Sequence, residues 1–187
     1  FGVLASEKVF VSRDYHFNKV KTFHHMMDER TQEEPKAWDL EGATHRADFK
    51  IEELVEFIRA ASPSEEDFGQ ALSQLHQALD KAADKVAKKT PAQEDLVGQV
   101  DALIDTLYFT YGSFVLMGVD PERIFDIVHQ ANMGKIFPDG KAHFDPVTHK
   151  ILKPDDWEEK YAPEPAIKKE LQRQLKAYER HKERKEQ

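Results

Sequence analysis

Apolar residues recur every three or four positions along most of this 187-residue chain. This is the period of an amphipathic α-helix, so the pattern predicts an all-α helical bundle. Six helices are expected, and an irregular tail separates the last two. The predicted helices are Asp14–Arg30, Leu40–Ala61, Ser64–Lys88, a helix running to Met117, one from Asp120 to about Gly134, and a last one after Pro163-Glu164-Pro165.

Turn and cap residues predict where several of these helices begin and end. Ser62 is expected to be the N-cap of the third helix, with Pro63 at its first position. Thr90-Pro91-Ala92-Gln93 reads as a capping box for the fourth helix, and Gly118 is a natural stop after it.

Two segments lack helical periodicity. Thr31–Trp38 is predicted to be a loop. Phe137–Trp157 also reads as a loop, in which Lys141–Phe144 and His149–Lys153 could pair as a short hairpin. We expect residues 1–162 to form one domain, and residues 163–187 to be a basic C-terminal helix extension.

Composition narrows the functional classes. The net charge of −8 argues against a general nucleic-acid binder. Without cysteine the chain forms no disulfide and no thiolate site, which is compatible with a cytoplasmic protein. No apolar run approaches the roughly 18 residues of a membrane span. By contrast, Ala166–Gln187 holds eight Lys or Arg against four Glu, which indicates a solvated helix or a partner-binding segment.

Two acidic clusters carry the most specific chemistry. Glu52, Glu53 and Glu56 fall within about 100° of arc on the second helix. Asp101 and Asp105 share a face of the fourth helix. Like charges one turn apart repel, so two such clusters invite a common explanation. Carboxylates hold Mg²⁺, usually together with substrate phosphates. The competing interpretation is a solvated acidic surface.

Neighbouring residues add to each cluster. Lys50 and Arg46 lie where they could moderate the repulsion among the glutamates, and Lys50 is a candidate for substrate binding. Tyr108 is another such candidate, although a tyrosine in this position is more often a half-buried core residue. A stripe at helical spacing on the fourth helix is expected to enter the core: Leu96, Val100, Leu103, Leu107, Tyr111 and Phe114.

The fifth helix ends in His129-Gln-Ala-Asn132-Met-Gly-Lys135. A Lys near a helix end can act as a point charge for phosphate, and Asn132 shares a face with His129. The simpler interpretation is that Lys135 caps the helix C-terminus. Trp38 could stack on a base, or could pack on the bundle as a loop residue.

Taken together, these motifs resemble the all-α nucleoside triphosphate pyrophosphohydrolases, a superfamily that includes MazG proteins, dimeric dUTPases and phosphoribosyl-ATP pyrophosphohydrolase. Its signature is E-E-x-x-E on one helix and E-x-x-D on a later one. The three glutamates match the first part, and the stretch from Asp105 to Gly112 is similar to the second. Val128–Lys135 resembles the H-x-x-N-x-x-K segment of the dUTPase-related branch, and Lys153-Pro154 with Trp157 resembles its closing tail.

The chain departs from this pattern at one position. The signature has an acid three residues before Asp105, where this chain has Ala102. Asp101 lies one residue earlier on the same side of the helix and could replace the missing ligand.

The resemblance implies Mg²⁺, with Mn²⁺ as a substitute, held by Glu52, Glu53, Glu56, Asp105 and Asp101. It implies hydrolysis of a (deoxy)nucleoside triphosphate to the monophosphate and pyrophosphate, with dUTP or altered nucleotides as substrates. One glutamate would be the base, and Asn132 and Lys135 would contact phosphate or sugar. A homodimer is implied, without nucleic-acid or membrane partners. The alternatives are a nucleotide-binding regulator with weakened catalysis and a helical partner-binding protein.

Overall fold

The computed structural model describes residues 12–27, 33–91 and 95–187. Within these ranges the chain forms seven α-helices and no β-strand, which confirms the all-α prediction. The sequence prediction missed the short α6. The helices are α1 (Tyr15–Met27), α2 (Leu40–Ala61), α3 (Glu65–Ala87), α4 (Leu96–Met117), α5 (Glu122–Met133), α6 (Trp157–Tyr161) and α7 (Glu164–Glu186).

The described chain divides into two compact units. One consists of Glu34–Leu107, in which α2 packs against α3. The other contains α1 together with Tyr108–Gln187, and here α5 packs against both α1 and α7. The division falls within the sequence of α4. It does not coincide with the predicted boundary at residue 162, and that boundary stays a prediction.

The start of α3 differs from the prediction. Ser64, not Ser62, is its N-cap, because the Ser64 Oγ accepts from the backbone N–H of Asp67 and donates to the Asp67 carboxylate. Ser62 instead ends α2, where its hydroxyl donates to the carbonyl of Ile58. The sequence signal for a cap was correct, but Ser64 takes the role that was predicted for Ser62.

Side-chain caps and a glycine also set the start of α2 and both ends of α4. Asp39 caps α2 by accepting from the N–H of Gly42. Asp95 accepts from the N–H of Gly98 at the start of α4. Gly118 ends α4 with φ at +69°, a conformation that favours glycine. Part of the Thr90–Gln93 capping box, the last residues of the predicted first helix and the first residues of the predicted loop 31–38 lie outside the described residues.

The tail between α5 and α6 contains one isolated antiparallel bridge, between Phe144 and Ile151. Backbone hydrogen bonds from Leu152 to His143 and from Asp145 to Lys150 support it. The predicted hairpin is thus reduced to a single bridge.

Few side chains are buried within the single chain. Among the described residues the buried apolar side chains are Met27, Ala131 and Trp157. The stripe of α4 is not core: Val100, Leu103 and Leu107 are each 45–49% exposed. In the described part of the chain, no helix has the length and apolar character needed to cross a membrane.

Candidate functional site

The first acidic cluster lies in the second half of α2. Glu52, Glu53 and Glu56 are all exposed there, and Glu52 and Glu53 already interact with other groups of the protein. Phe49 precedes the three glutamates by no more than two helical turns, and it is 45% exposed. The three carboxylates therefore line an accessible face of a helix that is well defined at its N-terminus by Asp39.

Lys50 does not extend freely into solvent. Its half-buried side chain folds back along α2, and Nζ donates to the carbonyl of Arg46 at 3.0 Å. Burial, with the adjacent positive charge of Arg46, lowers the pKa of Lys50. Its assignment to substrate binding remains a prediction.

The second acidic cluster lies in the first half of α4. Asp101 and Asp105 are exposed, and Thr106 donates its hydroxyl hydrogen to the carbonyl of Ala102 at 2.9 Å. Tyr108 is 77% exposed, so the alternative that it is a half-buried core residue is wrong for the single chain. Its hydroxyl is available to a ligand.

Both clusters belong to the unit Glu34–Leu107, and Gln99 ties the beginnings of their helices together. The Gln99 amide accepts from the Trp38 backbone N–H at 2.8 Å and donates to the Trp38 carbonyl at 3.0 Å. The Trp38 ring lies against Gly42, where a side chain would collide with it. Trp38 thus packs on α2 and is still 49% exposed.

Both acidic clusters offer carboxylate oxygens, the kind of donor that Mg²⁺ prefers. Within residues 12–27, 33–91 and 95–187, no three His, Asp or Glu side chains converge in a group that could hold a metal ion. Mg²⁺ is usually held by only one or two carboxylates, with substrate phosphates and water completing the octahedron. The oxygen donors of Glu52, Glu56, Asp101 and Asp105 fit that chemistry.

The carbonyl groups at the C-terminal end of α5 are all satisfied by hydrogen bonds. Its last four carbonyls all have partners: Gln130 and Asn132 accept from Gly134 and Lys135, and Met133 accepts from Ile136. The carbonyl of Ala131 accepts from the indole Nε1–H of buried Trp157 at 2.8 Å. Trp157 therefore completes the capping of this helix.

Asn132 and Lys135 are half-buried at this end of α5. Gly134, between them in the turn, lies against the ring of Tyr161, where a Cβ would not fit. Trp157 caps the Ala131 carbonyl, and the Lys135 ammonium group lies 6.0 Å from the centroid of the indole ring.

His129 faces α1. Burial and the positive charge of Lys19 lower the pKa of His129, which favours its neutral imidazole. Lys19 also forms an ion pair with Asp126 of α5. His16 stacks on Phe125, with ring centroids 4.0 Å apart, and these contacts join α1 to α5.

Sequence reasoning missed two residues that organise these regions. Gln99 gave no signal, because a glutamine in the first turn of a helix is ordinary. Trp157 was noted only as part of a family-like tail. The sequence offered one hint of the role of Trp157. This tryptophan follows a turn-rich segment and has a lysine four residues before it.

Comparison with known proteins identifies the protein family to which this chain belongs. The phosphoribosyl-ATP pyrophosphohydrolase family model matches residues 20–132. A crystal structure of a "putative NTP pyrophosphohydrolase" from Exiguobacterium sp. 255-15 is similar, with a TM-score of 0.81 and 39% identity over 89% of this chain and 99% of that one. The comparison with curated proteins gives no significant match. The fold is thus that of the all-α NTP pyrophosphohydrolases, and the chain belongs to the phosphoribosyl-ATP pyrophosphohydrolase family.

Proposed function

We propose that this protein is a Mg²⁺-dependent pyrophosphohydrolase of (deoxy)nucleoside triphosphates, with dUTP or altered nucleotides as its substrates. The observation that carries the proposal is the exposed Glu52, Glu53 and Glu56 face of α2, in a chain that belongs to this family. Asp101 and Asp105 lie in the same unit and offer further carboxylates.

The reaction needs one water and one proton acceptor. Attack by water on the α–β phosphoanhydride breaks the bridge and releases a nucleoside monophosphate and pyrophosphate. A glutamate of α2 takes the proton from the attacking water. Mg²⁺, held when bound by Glu52, Glu53, Glu56, Asp105 and Asp101, supplies positive charge against the phosphates.

Four further residues act on the substrate in this proposal. Asn132 and Lys135 bind phosphate or sugar from the end of α5. Tyr108 supplies an exposed hydroxyl as a hydrogen-bonding group. Lys50 contributes positive charge, although its bond to the Arg46 carbonyl must then be exchanged for one to substrate.

We further propose a homodimer. α4 is apolar on most of its surface, and a helix of that kind is normally buried. Yet Val97, Phe109 and Leu116 are 77–90% exposed, and α4 forms no extensive pair with another helix in the described chain. A second copy packed on α4 would cover these side chains and match the resemblance to dimeric relatives.

The decisive experiment measures pyrophosphate release from a panel of dNTPs, NTPs and damaged nucleotides. Wild type is assayed with EDTA, Mg²⁺ and Mn²⁺, next to Glu53→Gln, Asp101→Asn and Asp105→Asn. Loss of a base or metal ligand should lower the rate by about 10²–10⁴-fold. Asp80→Asn is the matched control, since it removes an exposed carboxylate of α3.

The outcomes separate the alternatives. One preferred base, with turnover that needs metal and is lost in Glu53→Gln, would support the enzyme. If wild type and Glu53→Gln released pyrophosphate from every nucleotide at the same trace rate, the enzyme would be rejected. Nucleotide binding without release would then favour the regulator, and restoration of release by Ala102→Glu would identify the cause.

A further inference from the structure

Helix α6 contacts the end of α5 at two points. Trp157 and Tyr161 are the first and last residues of α6, and residues four apart share a face of a helix. The indole N–H of Trp157 donates to the Ala131 carbonyl, and both of these residues are buried. The ring of Tyr161 lies against Gly134. The two contacts therefore bracket Asn132 in the last turn of α5.

Gly134 is needed for space and not for backbone conformation. Its φ of −66° and ψ of −10° lie in the right-handed helical region, which alanine adopts readily. A Cβ at this position would nevertheless collide with Cγ, Cδ1 and Cδ2 of Tyr161. These atoms lie at the root of the ring, so movement of a flexible side-chain end cannot relieve the collision. The absence of a side chain at Gly134 thus allows the Tyr161 ring to pack directly on the turn.

Helix α6 is itself held in place on both sides. At its start, the backbone N–H of Trp157 donates to the Pro154 carbonyl at 2.9 Å, and Lys160 forms an ion pair with Asp156 at 2.6 Å. After it, α7 begins at Glu164 and packs against α5. Because these contacts restrain α6, its aromatic side chains reach α5 from a fixed element. Groups held by such an element lose less conformational freedom when a ligand binds.

We propose that α6 is a clamp that positions Asn132 and Lys135 for the substrate, with Tyr161 and Gly134 as a pair of positioning residues. The inference rests on the proposed function, in which Asn132 and Lys135 bind phosphate or sugar. Gly134 lies between them in the chain, so a shift of the Tyr161 ring moves the backbone that carries both. The tail after α5 thereby gains a role in substrate binding.

The test measures KM and kcat for pyrophosphate release in Gly134→Ala. The added methyl group displaces the Tyr161 ring, and we expect KM to rise by up to about 10²-fold, the loss that a displacement of about 1 Å can cause. The value of kcat should change little, because the lost interaction is common to the ground state and the transition state. Gly69→Ala is the control, since a Cβ on this helical glycine meets nothing within 4 Å.

The separation of KM from kcat distinguishes positioning from a loss of stability. A variant that only unfolds in part has fewer active molecules, which lowers the apparent kcat and leaves KM unchanged. Tyr161→Phe keeps the ring and should behave as wild type in both parameters.

A double-mutant cycle tests whether Gly134 acts through the ring. Tyr161→Ala should itself raise KM. Adding Gly134→Ala to it should have little further effect, because the methyl group then meets no ring. Should Gly134→Ala not fold, the comparison of Tyr161→Ala with Tyr161→Phe decides the matter, and equal KM values in these two variants would overturn the clamp.

Binding of α,β-imido-dUTP with Mg²⁺, measured by calorimetry, separates the clamp from the proposed function. The same KM in Gly134→Ala and Gly69→Ala, or the same affinity for this analogue where no turnover occurs, would overturn the clamp. Full additivity in the cycle would also overturn it, and normal release by wild type would leave the proposed function intact in either case. A wild type that binds the analogue without turnover, and loses affinity in Gly134→Ala but not in Gly69→Ala, would uphold the clamp and reject the enzyme. A wild type that neither releases pyrophosphate nor binds the analogue would overturn both.

Discussion

At the scale of single residues, Glu170 is the buried charged side chain of the described chain. Arg173 donates to both of its carboxylate oxygens, at 2.7 and 2.8 Å, and Gln174 donates to it at 3.2 Å. The hydrogen bonds from Arg173 outweigh the cost of burial and lower the pKa of Glu170 from 4.5 to about 2. Gln174 in turn bonds both backbone groups of Asp120, just before α5. Glu170 thereby helps fasten α7 to its neighbour.

This pKa predicts an acid-dependent loss of stability. A carboxylate whose folded pKa is depressed stabilises the fold fully above its unfolded pKa, and that contribution disappears as the pH falls from about 4.5 to about 2. Glu170→Gln should lower the melting temperature at pH 7, and its difference from wild type should shrink across that range.

Thermal unfolding followed by circular dichroism at pH 7, 4.5 and 3 would measure the effect. Glu179→Gln removes an exposed carboxylate from the same helix and should behave as wild type at each pH. A Glu170→Gln deficit that stays constant with pH would show that the ionised form of Glu170 contributes nothing to the stability of the fold.

At the scale of elements, two serines separated by Pro63 have different roles at the junction of α2 and α3. Ser64 caps the N-terminus of α3, and Ser62 satisfies a carbonyl at the C-terminus of α2. Arg59 and Glu65 form an ion pair across the junction, and the Arg59 guanidinium lies 4.9 Å from the Phe68 ring. These contacts fix the direction in which α3 leaves α2.

The two serines should therefore differ in their effect on stability. Ser64→Ala removes the N-cap and should cost about 1 kcal/mol. Ser62→Ala should change stability by no more than about 0.5 kcal/mol, because Ser62 does not cap the N-terminus of a helix. Urea unfolding of both variants gives the free energies. The reverse order would restore Ser62 as the cap of α3.

At the scale of the whole molecule, the apolar surface left by the single chain is the dominant feature. On α2, Phe49, Leu54 and Phe57 are 45–55% exposed, and α4 presents still more apolar surface. Large exposed apolar patches mark protein–protein interfaces. A stable interface of about 1,200–2,000 Å² would remove much of this surface from water.

A charge on α4 should therefore prevent assembly. We expect wild type to have twice the mass of one chain by light scattering, and Leu103→Glu to have the mass of one. Val147→Glu adds the same charge at an 83% exposed residue of the tail and should leave the dimer intact. A wild-type protein with the mass of a single chain would contradict the proposed dimer.

Much of the secondary structure was predictable because its causes are local. The bounds of α2, Leu40–Ala61, were predicted residue for residue, and Gly118 ends α4 as expected. Periodicity, caps and glycine act within one or two helical turns, so a sequence window contains them. The faces on which the two acidic clusters lie were predictable for the same reason, because residue spacing within one or two turns determines a helix face.

The sequence by itself thus determined the described helices other than α6, the acidic faces and the resemblance to a family that the comparisons confirm. Only the tertiary structure decided that Trp157 completes the capping of α5 and that most of the α4 stripe is exposed. These outcomes depend on contacts between residues far apart in the chain, or on whether a neighbour covers a face. The spacing of residues along a chain does not encode such contacts, because the apolar period of a helix is the same whatever packs against it.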